Sequence, residues 1–210
     1  VNFRAYSSDE YAYDEKTEIA FSEYDVTDIP DFNYRVTAYG LSTNDAYLAR
    51  RLRYNQSDDV WIPVDGATWH NTFKYLPPET YKTEHPKWYS GDGTQLCFLA
   101  HGDEAEAEEL YQTLLAKLIS CLEEYPDRQN ITITQEDKRT WCDCAACKEN
   151  LQKYGTDAAT VVQFCNRIAE DVEKYFAEKN SSRQVNICFF AYHMTTNAPV
   201  IKNADGSYSP

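Results

Sequence analysis

The sequence contains little glycine, proline and methionine, and fewer basic than acidic residues. Of the 210 residues, 7 are Gly, 8 are Pro and 1 is Met, which excludes collagen-like and low-complexity chains. Lys and Arg number 20 against 34 Asp and Glu, so the formal charge is -14. Because this charge repels phosphate groups, we expect neither nucleic acid nor an anionic lipid surface as a partner.

Long apolar runs are also missing, and none approaches the roughly 20 residues that a membrane-spanning helix needs. The first residues, Val1 to Arg4, lack the apolar stretch of a signal peptide, which a mature chain would already have lost. Aromatic residues, in contrast, are abundant, with 17 Tyr and 4 Trp. Their apolar faces and polar edges favour uncharged or sugar-like ligands.

The apolar pattern predicts alternating strands and helices. Two clear helices are predicted at 103–125 and 157–177, and a shorter one at 43–54 with Ser42 or Thr43 as its cap. Strands are predicted at 33–39, 60–64, 95–100, 131–134 and 185–192. This alternation implies β/α units around a parallel sheet, which is either an open α/β sheet or a piece of a larger barrel.

Two adjacent carboxylates, Glu136 and Asp137, follow the strand predicted at 131–134. In parallel α/β folds the active site forms at the carboxyl ends of the strands. A glycosidase needs an acid and a second carboxyl group, roughly 5–9.5 Å apart. Since neighbours on a strand point to opposite faces, we predict that one of the two is the acid and that its partner comes from another strand end. A solvated or helix-capping acidic pair is the alternative.

Candidate substrate-binding residues lie mainly in the long loop after the strand at 60–64. They are Trp69, His70, Tyr81 and His85. Aromatic rings beside an imidazole suit a sugar ring, although packing within an aromatic-rich loop explains them equally well. Arg35, in the first predicted strand of the domain, is a further candidate because its guanidinium binds carboxylates and hydroxyls.

Three thiols in a C-x-C-x-x-C arrangement suggest a metal site. They are Cys142, Cys144 and Cys147. Thiolate ligands at this spacing are typical of structural zinc, which takes four ligands. Cys97 is the first candidate for the fourth, with His101 or His193 as alternatives. A disulfide between Cys144 and Cys147, or a reduced group of thiols, is the other interpretation.

Several short motifs recur in order between residues 29 and 200. Among them are Pro30-Asp31-Phe32-Asn33-Tyr34-Arg35, Trp69-His70, Leu76-Pro77-Pro78, His85-Pro86-Lys87-Trp88-Tyr89, Cys142-Asp143-Cys144-Ala145-Ala146-Cys147, Phe164-Cys165-Asn166 and Ala191-Tyr192. Their order and spacing resemble a bacterial family of uncharacterised domains (domain of unknown function 4838), which is related to the α-glucuronidases and other glycoside hydrolases.

The resemblance implies a (β/α)8 TIM barrel of the glycoside hydrolase type, present here as a partial barrel of about five β/α units. Residues 29–210 would form this barrel, and residues 1–28 would be the end of an N-terminal α/β helper domain. Members of the family are usually secreted, so we expect a secreted, periplasmic or cell-surface location. The family usually has Asn where this chain has Glu136, which makes Asp137 the stronger catalytic candidate.

The resulting hypothesis is a glycoside hydrolase acting on a poly- or oligosaccharide, with Asp137 as general acid/base. His70, Arg35 and Tyr192 would line the sugar pocket, and a structural zinc ion would bind the cysteines. The alternative is a catalytically silent glycan-binding module.

Overall fold

The structure is a computed structural model that describes residues 4–6, 10–20, 25, 27, 29–32, 34–37, 39–40, 44–55 and 60–209. The chain forms two compact units, Val1–Val60 and Trp61–Pro210. The boundary predicted after residue 28 stays a prediction.

The N-terminal unit contains a two-stranded antiparallel sheet and one short described helix. Strand β1 (Arg4–Ala5) pairs with β2 (Tyr11–Ala12), and helix α1 is Ala46–Arg51. Asp45 caps α1, because its carboxylate accepts a hydrogen bond from the Leu48 main-chain N–H at 2.9 Å. The predicted caps Ser42 and Thr43 lie outside the described residues.

The strand predicted at 33–39 is not found in its described part. Residues 34–37 and 39 are irregular, and residues 33 and 38 lie outside the described set. Arg35 instead holds this segment to its own unit. Its guanidinium donates hydrogen bonds to the Arg53 carbonyl at 2.8 Å and the Phe32 carbonyl at 2.5 Å. The prediction that Arg35 contacts a sugar stays untested.

The C-terminal unit is built on a three-stranded parallel sheet. Strands β3 (Trp61–Ile62), β4 (Asn130–Thr132) and β5 (Asn186–Cys188) follow each other in that order across the sheet. Ile131, in the central strand, is in register with Ile62 on one side and Ile187 on the other. A separate antiparallel pair, β6 (Ile201–Lys202) and β7 (Tyr208–Ser209), follows.

Helices fill the connections of this sheet. They are α2 (Thr72–Tyr75), α3 (Pro78–Tyr81), α4 (Glu104–Glu124), α5 (Ala145–Tyr154) and α6 (Ala158–Glu178). Short 3-10 helices lie at Pro86–Trp88, Ala100–Gly102 and His193–Thr195. The long helices α4 and α6 confirm the two predicted from leucine and β-branched periodicity. Of the described helices, none has the length and apolar character needed to cross a membrane.

One apolar core joins the sheet to α4 and α6. Helix α4 contributes Leu110, Leu114, Leu118 and Leu122, and α6 contributes Val161, Ile168, Val172 and Phe176. They pack with Ile62 of β3, with Ile131 of β4 and with Ile133, which directly follows β4. The core therefore holds the strands in parallel, so that the segments following β3, β4 and β5 leave the sheet at the same edge.

The predicted partial barrel of about five β/α units is wrong. Among the described residues the parallel sheet has three strands, and most of the regular structure is helical. The strand predicted at 95–100 does not form. Leu96 makes only an isolated bridge with Tyr89, and the chain turns at Ala100 and His101, both of which have positive φ (40° and 57°). This apolar segment is buried because it packs as a loop. An apolar sequence pattern does not distinguish such a buried loop from a strand.

Candidate functional site

Four cysteines converge in the C-terminal unit and form what we call the four-cysteine cluster. Its members are Cys97, Cys142, Cys144 and Cys147, whose sulfur atoms all lie within 4.8 Å of one another. The Cys97 sulfur is 3.7 Å from that of Cys147 and 3.9 Å from that of Cys144. A tetrahedral ion with metal–sulfur bonds of about 2.3 Å would separate its ligands by about 3.8 Å. The cluster is therefore compatible with a four-thiolate metal site.

Local structure brings these thiols together. Cys144 caps α5, because its sulfur accepts the Cys147 main-chain N–H at 3.4 Å. The Cys97 sulfur likewise accepts the His101 N–H at 3.3 Å. All seven cysteines, each within the described part of the chain, are free thiols rather than disulfides. The structure thus places Cys97 with the C-x-C-x-x-C motif, as the sequence suggested.

The thiols of the four-cysteine cluster shift one another's pKa values. Hydrogen bonds from Cys147 and Cys97 lower the pKa of Cys142 far below its ordinary value. Hydrogen bonds with Cys142 and Cys97 raise the pKa of Cys147, and the bond with Cys142 raises the pKa of Cys97 to about 12. A metal ion bound by the four sulfurs would displace their protons.

The two histidines considered as alternative ligands make other contacts. His101 Nε2 lies 2.8 Å from the Tyr89 carbonyl oxygen, which requires that this nitrogen carry the proton, and it lies 4.0 Å from the Cys142 sulfur. His193 Nε2 lies 3.7 Å from an Asp137 carboxylate oxygen. The donor set brought together by the structure is therefore four sulfurs.

A second group of residues lies where the three parallel strands end, and we call it the carboxyl-edge cluster. It consists of Trp69, His70, Asp137, Phe190, Tyr192 and His193. Trp69 and His70 follow β3, Asp137 follows β4, and the other three follow β5. The carboxyl edge of a parallel sheet is where ligands of α/β proteins bind.

Aromatic rings form the body of this cluster. The rings of Trp69 and Phe190 are stacked, with centroids 5.5 Å apart, and the His70 ring meets Phe190 edge-on at 5.2 Å. The Tyr192 ring lies 5.9 Å from Phe190 and 3.7 Å from the ring of His193. Trp69 and Tyr192 are about one-third exposed, so a ligand has access to part of each ring.

Asp137 provides the accessible carboxylate of the cluster, with 63% of its side chain exposed. One carboxylate oxygen accepts a hydrogen bond from the Tyr192 hydroxyl at 3.1 Å and lies 3.7 Å from His193 Nε2. The bond to Asp137 raises the pKa of Tyr192, because the carboxylate disfavours a second negative charge beside it. Asp137 thus presents a carboxylate to solvent or to a ligand.

Two histidines of the cluster have left-handed main-chain conformations, with φ of 51° at His70 and 52° at His193. Such conformations are costly outside glycine and persist where the surroundings impose them. At His70 the Nδ1 atom lies 2.8 Å from the Gln135 carbonyl oxygen. Nδ1 therefore carries a proton, and Nε2 is left as an acceptor when the ring is neutral.

Glu136 has a different environment from its neighbour. Its Oε1 atom accepts hydrogen bonds from the Thr72 hydroxyl at 2.8 Å and from the Phe73 N–H at 2.9 Å. Both donors belong to the first turn of α2, so the carboxylate caps this short helix. Glu136 was a catalytic candidate, and the contacts correspond to the helix-capping alternative.

Replacing Glu136 by Ala is expected to lower the free energy of unfolding by about 1–3 kcal/mol, because the N–H of Phe73 and the Thr72 hydroxyl lose their acceptor. Urea unfolding followed by circular dichroism measures this change. Glu136→Gln keeps an acceptor oxygen and serves as the matched control, with a smaller loss. An Ala variant as stable as the natural chain would contradict the capping role.

Tyr81 and His85, the other predicted sugar contacts, pack around Trp88. The His85 ring stacks on Trp88 with centroids 4.0 Å apart, and Tyr81 lies 5.4 Å from the same ring. His85 Nδ1 is 3.1 Å from Glu106 and 3.8 Å from Glu109, both on α4. These contacts join a loop to a helix, and a role in sugar binding stays a prediction.

The sequence model of one protein family, described as Domain of unknown function (DUF4838), matches residues 5–206. The chain belongs to the DUF4838 family. This confirms the family expected from the motifs, while the family's relation to glycosidases stays a prediction. No curated protein and no solved structure matches the chain.

In this DUF4838 domain, sequence reasoning found part of the carboxyl-edge cluster and missed Phe190 as a site residue. It treated His193 only as a metal ligand. Both lie in the segment that follows β5, as Trp69 and His70 lie in the segment that follows β3. His193 directly follows the strand predicted at 185–192, so its position at a strand end could have identified it, whereas Phe190 falls inside that predicted strand.

Proposed function

We propose that this DUF4838 domain is a carbohydrate-active protein that binds an oligosaccharide at the carboxyl-edge cluster and hydrolyses a glycosidic bond. The observation that carries the proposal is the convergence of stacked aromatic rings with one accessible carboxylate at the carboxyl edge of a parallel sheet. The aromatic faces suit the apolar face of a sugar ring. The carboxylate, hydroxyl and imidazole beside them suit its hydroxyl groups.

In the proposed reaction Asp137 is the general acid/base. In its protonated form it would give a proton to the leaving oxygen, while the Tyr192 hydroxyl and His193 orient its carboxyl group. Trp69 and Phe190 would hold a sugar ring, and His70 Nε2 would accept a hydrogen bond from a sugar hydroxyl. A secreted, periplasmic or cell-surface location is part of the same proposal.

A second candidate is a glycan-binding module without hydrolysis. Most glycosidases use two carboxyl groups. The carboxylate next to Asp137, that of Glu136, is occupied by hydrogen bonds to α2. A site with aromatic rings and a single accessible acid on this strand end is suited to binding, and this observation favours the module.

We further propose that the metal of the four-cysteine cluster is a structural zinc ion. Four sulfur ligands, which lie within 4.8 Å of one another, would leave no open coordination position for a substrate, and this is the arrangement of structural rather than catalytic zinc. When bound, the ion would link the segment of Cys97 to the start of α5.

Binding of oligosaccharides to the zinc-loaded chain tests the site. We expect tryptophan fluorescence or calorimetry to detect a glycan that binds in the micromolar to millimolar range, and Trp69→Ala to weaken it at least tenfold through loss of a stacking face. Tyr154→Phe, which changes a tyrosine of α5, is the control and should bind normally. Equal affinity in Trp69→Ala and the natural chain would contradict the proposed location.

A further inference from the structure

The segment 94–97 touches the Asp137 loop, which we define as residues 136–142, and the start of α5. The Thr94 and Thr140 hydroxyl oxygens are 2.6 Å apart. The Gln95 side chain bonds to the main chain of Glu136, and the Cys97 sulfur reaches Cys144 and Cys147. The Asp137 loop is thus attached to one segment at its beginning and near its end, and the four-cysteine cluster completes the attachment.

Gln95 makes the contact nearest to Asp137. Its Nε2 donates to the Glu136 carbonyl at 3.0 Å, and its Oε1 accepts the Glu136 N–H, also at 3.0 Å. The amide therefore satisfies both main-chain groups of the residue before Asp137, as a neighbouring strand would. Gln95 is 1% exposed. Ser90 holds the Gln95 main chain, because the Ser90 N–H donates to the Gln95 carbonyl at 2.9 Å and the Ser90 hydroxyl oxygen accepts the Gln95 N–H at 3.1 Å. The contact is consequently a rigid one.

We propose that Gln95 is a positioning residue that holds the Asp137 carboxylate against Tyr192, and that metal bound in the four-cysteine cluster fixes the same loop from its other end. The metal would then regulate the geometry of the carboxyl-edge cluster without touching its ligand. The role of Asp137 in chemistry rests on the proposed function, but the coupling of metal, Gln95 and loop does not.

Two basic residues make the loop's mobility measurable. Lys138 and Arg139 are exposed and directly follow Asp137, so trypsin cleaves after them once the loop opens locally. In the zinc-loaded natural chain we expect slow cleavage at these bonds. Removing zinc with a chelator is expected to raise the rate there at least tenfold. Gln95→Ala is expected to do the same with zinc bound, because the Glu136 N–H loses its acceptor and the Glu136 carbonyl keeps only the Lys138 N–H.

Controls separate this local effect from unfolding. Cleavage after Lys117 and Arg167, which lie in α4 and α6, reports loss of the core. Gln112→Ala, an exposed change on α4, should leave all rates unchanged. Gln95→Glu keeps the acceptor for the Glu136 N–H but not the donor, so it should give an intermediate rate. If Gln95→Ala exposes the helices first, Thr94→Val is the second variant, since it removes the hydroxyl contacts with Thr140 and Asp92 and leaves the Gln95 side chain in place.

The pKa of Tyr192 reports on the position of the Asp137 carboxylate beside its hydroxyl. Groups around its hydroxyl or ring are Asp137, His193, His70 and Arg139. With Tyr192 assigned by Tyr192→Phe in a tyrosine-labelled NMR titration, its pKa should fall towards the ordinary value in Gln95→Ala and in the chelated protein. Unchanged cleavage at Lys138 and Arg139 together with an unchanged Tyr192 pKa would overturn the proposal. Because no glycan is used, this outcome is independent of the proposed function.

Discussion

Removing metal from the four-cysteine cluster is expected to lower the thermal midpoint of the chain by on the order of 10 °C. A ligand present at about 1,000 times its dissociation constant stabilises the folded state by about 4 kcal/mol. For a chain of this size each kcal/mol shifts the midpoint by roughly 2–4 °C. The effect is large because the four sulfurs come from a loop at Cys97, a loop at Cys142 and the first turn of α5, which the ion would join.

Calorimetry on zinc-loaded and chelated protein measures this shift, together with metal analysis of protein purified without added metal. We expect close to one zinc per chain. Cys142→Ser should lose the metal and match the chelated protein, whereas Cys188→Ser, a half-buried thiol on β5, should retain it. Absence of metal combined with a disulfide between Cys144 and Cys147 by mass spectrometry would contradict the metal site.

Replacing Asp137 by Asn is expected to lower kcat/KM about 10²–10⁴-fold on whichever glycoside the natural chain hydrolyses, since a general acid contributes this much. Folding should not change, because the side chain is 63% exposed and its contacts are with Tyr192 and His193 at the surface. Urea unfolding checks that the stability of the variant is unaltered.

The matched control for Asp137→Asn is Asp143→Asn. Asp143 lies just beyond the same loop, is 81% exposed and pairs with Lys148 at 3.3 Å. It should retain turnover. Full activity in Asp137→Asn would remove this residue from the chemistry. Glycan binding by both proteins without turnover by either would support the binding module instead.

The helices of the core were predictable because their signal is local. Leu110, Leu114, Leu118 and Leu122 recur at helical spacing, and α4 and α6 form where this pattern indicates. The short helices α2 and α3 and the ten-residue α5 were not predicted. Glu136 and Cys144 cap α2 and α5, and an apolar pattern carries no signal for a distant carboxylate or a sulfur cap. The formation of these helices depends on such contacts rather than on apolar periodicity.

The predicted barrel failed for a related reason. Residues 95–100 are apolar and read as a strand, but their main chain bonds locally, with the Cys97 N–H donating to the Trp88 carbonyl and the Ala100 N–H to the Cys97 carbonyl. The position of Cys97 beside Cys147 requires this turn. The apolar pattern predicts that these residues are buried, but it does not predict which groups their main-chain N–H and carbonyl groups bond to.

For the candidate site, the sequence predicted which residues lie near the ends of strands. It did not predict which groups their side chains contact. Asp137, Trp69, His70 and Tyr192 were named from their positions around predicted strands, and the structure brings them to one edge of the sheet. Whether a carboxylate is free or engaged depends on residues far away in sequence. Glu136 meets Thr72 and Phe73, more than 60 residues earlier, and no local pattern reveals that contact.

The most direct test of the account is hydrolysis of a panel of aryl glycosides, weighted towards uronic acids and amino sugars, by the zinc-loaded chain. The account predicts release of the aryl group from at least one member of the panel, and loss of that release in Asp137→Asn but not in Asp143→Asn. Turnover that Asp137→Asn retains, or a zinc-loaded chain that neither hydrolyses nor binds any glycoside of the panel, would contradict a carbohydrate-active carboxyl-edge cluster.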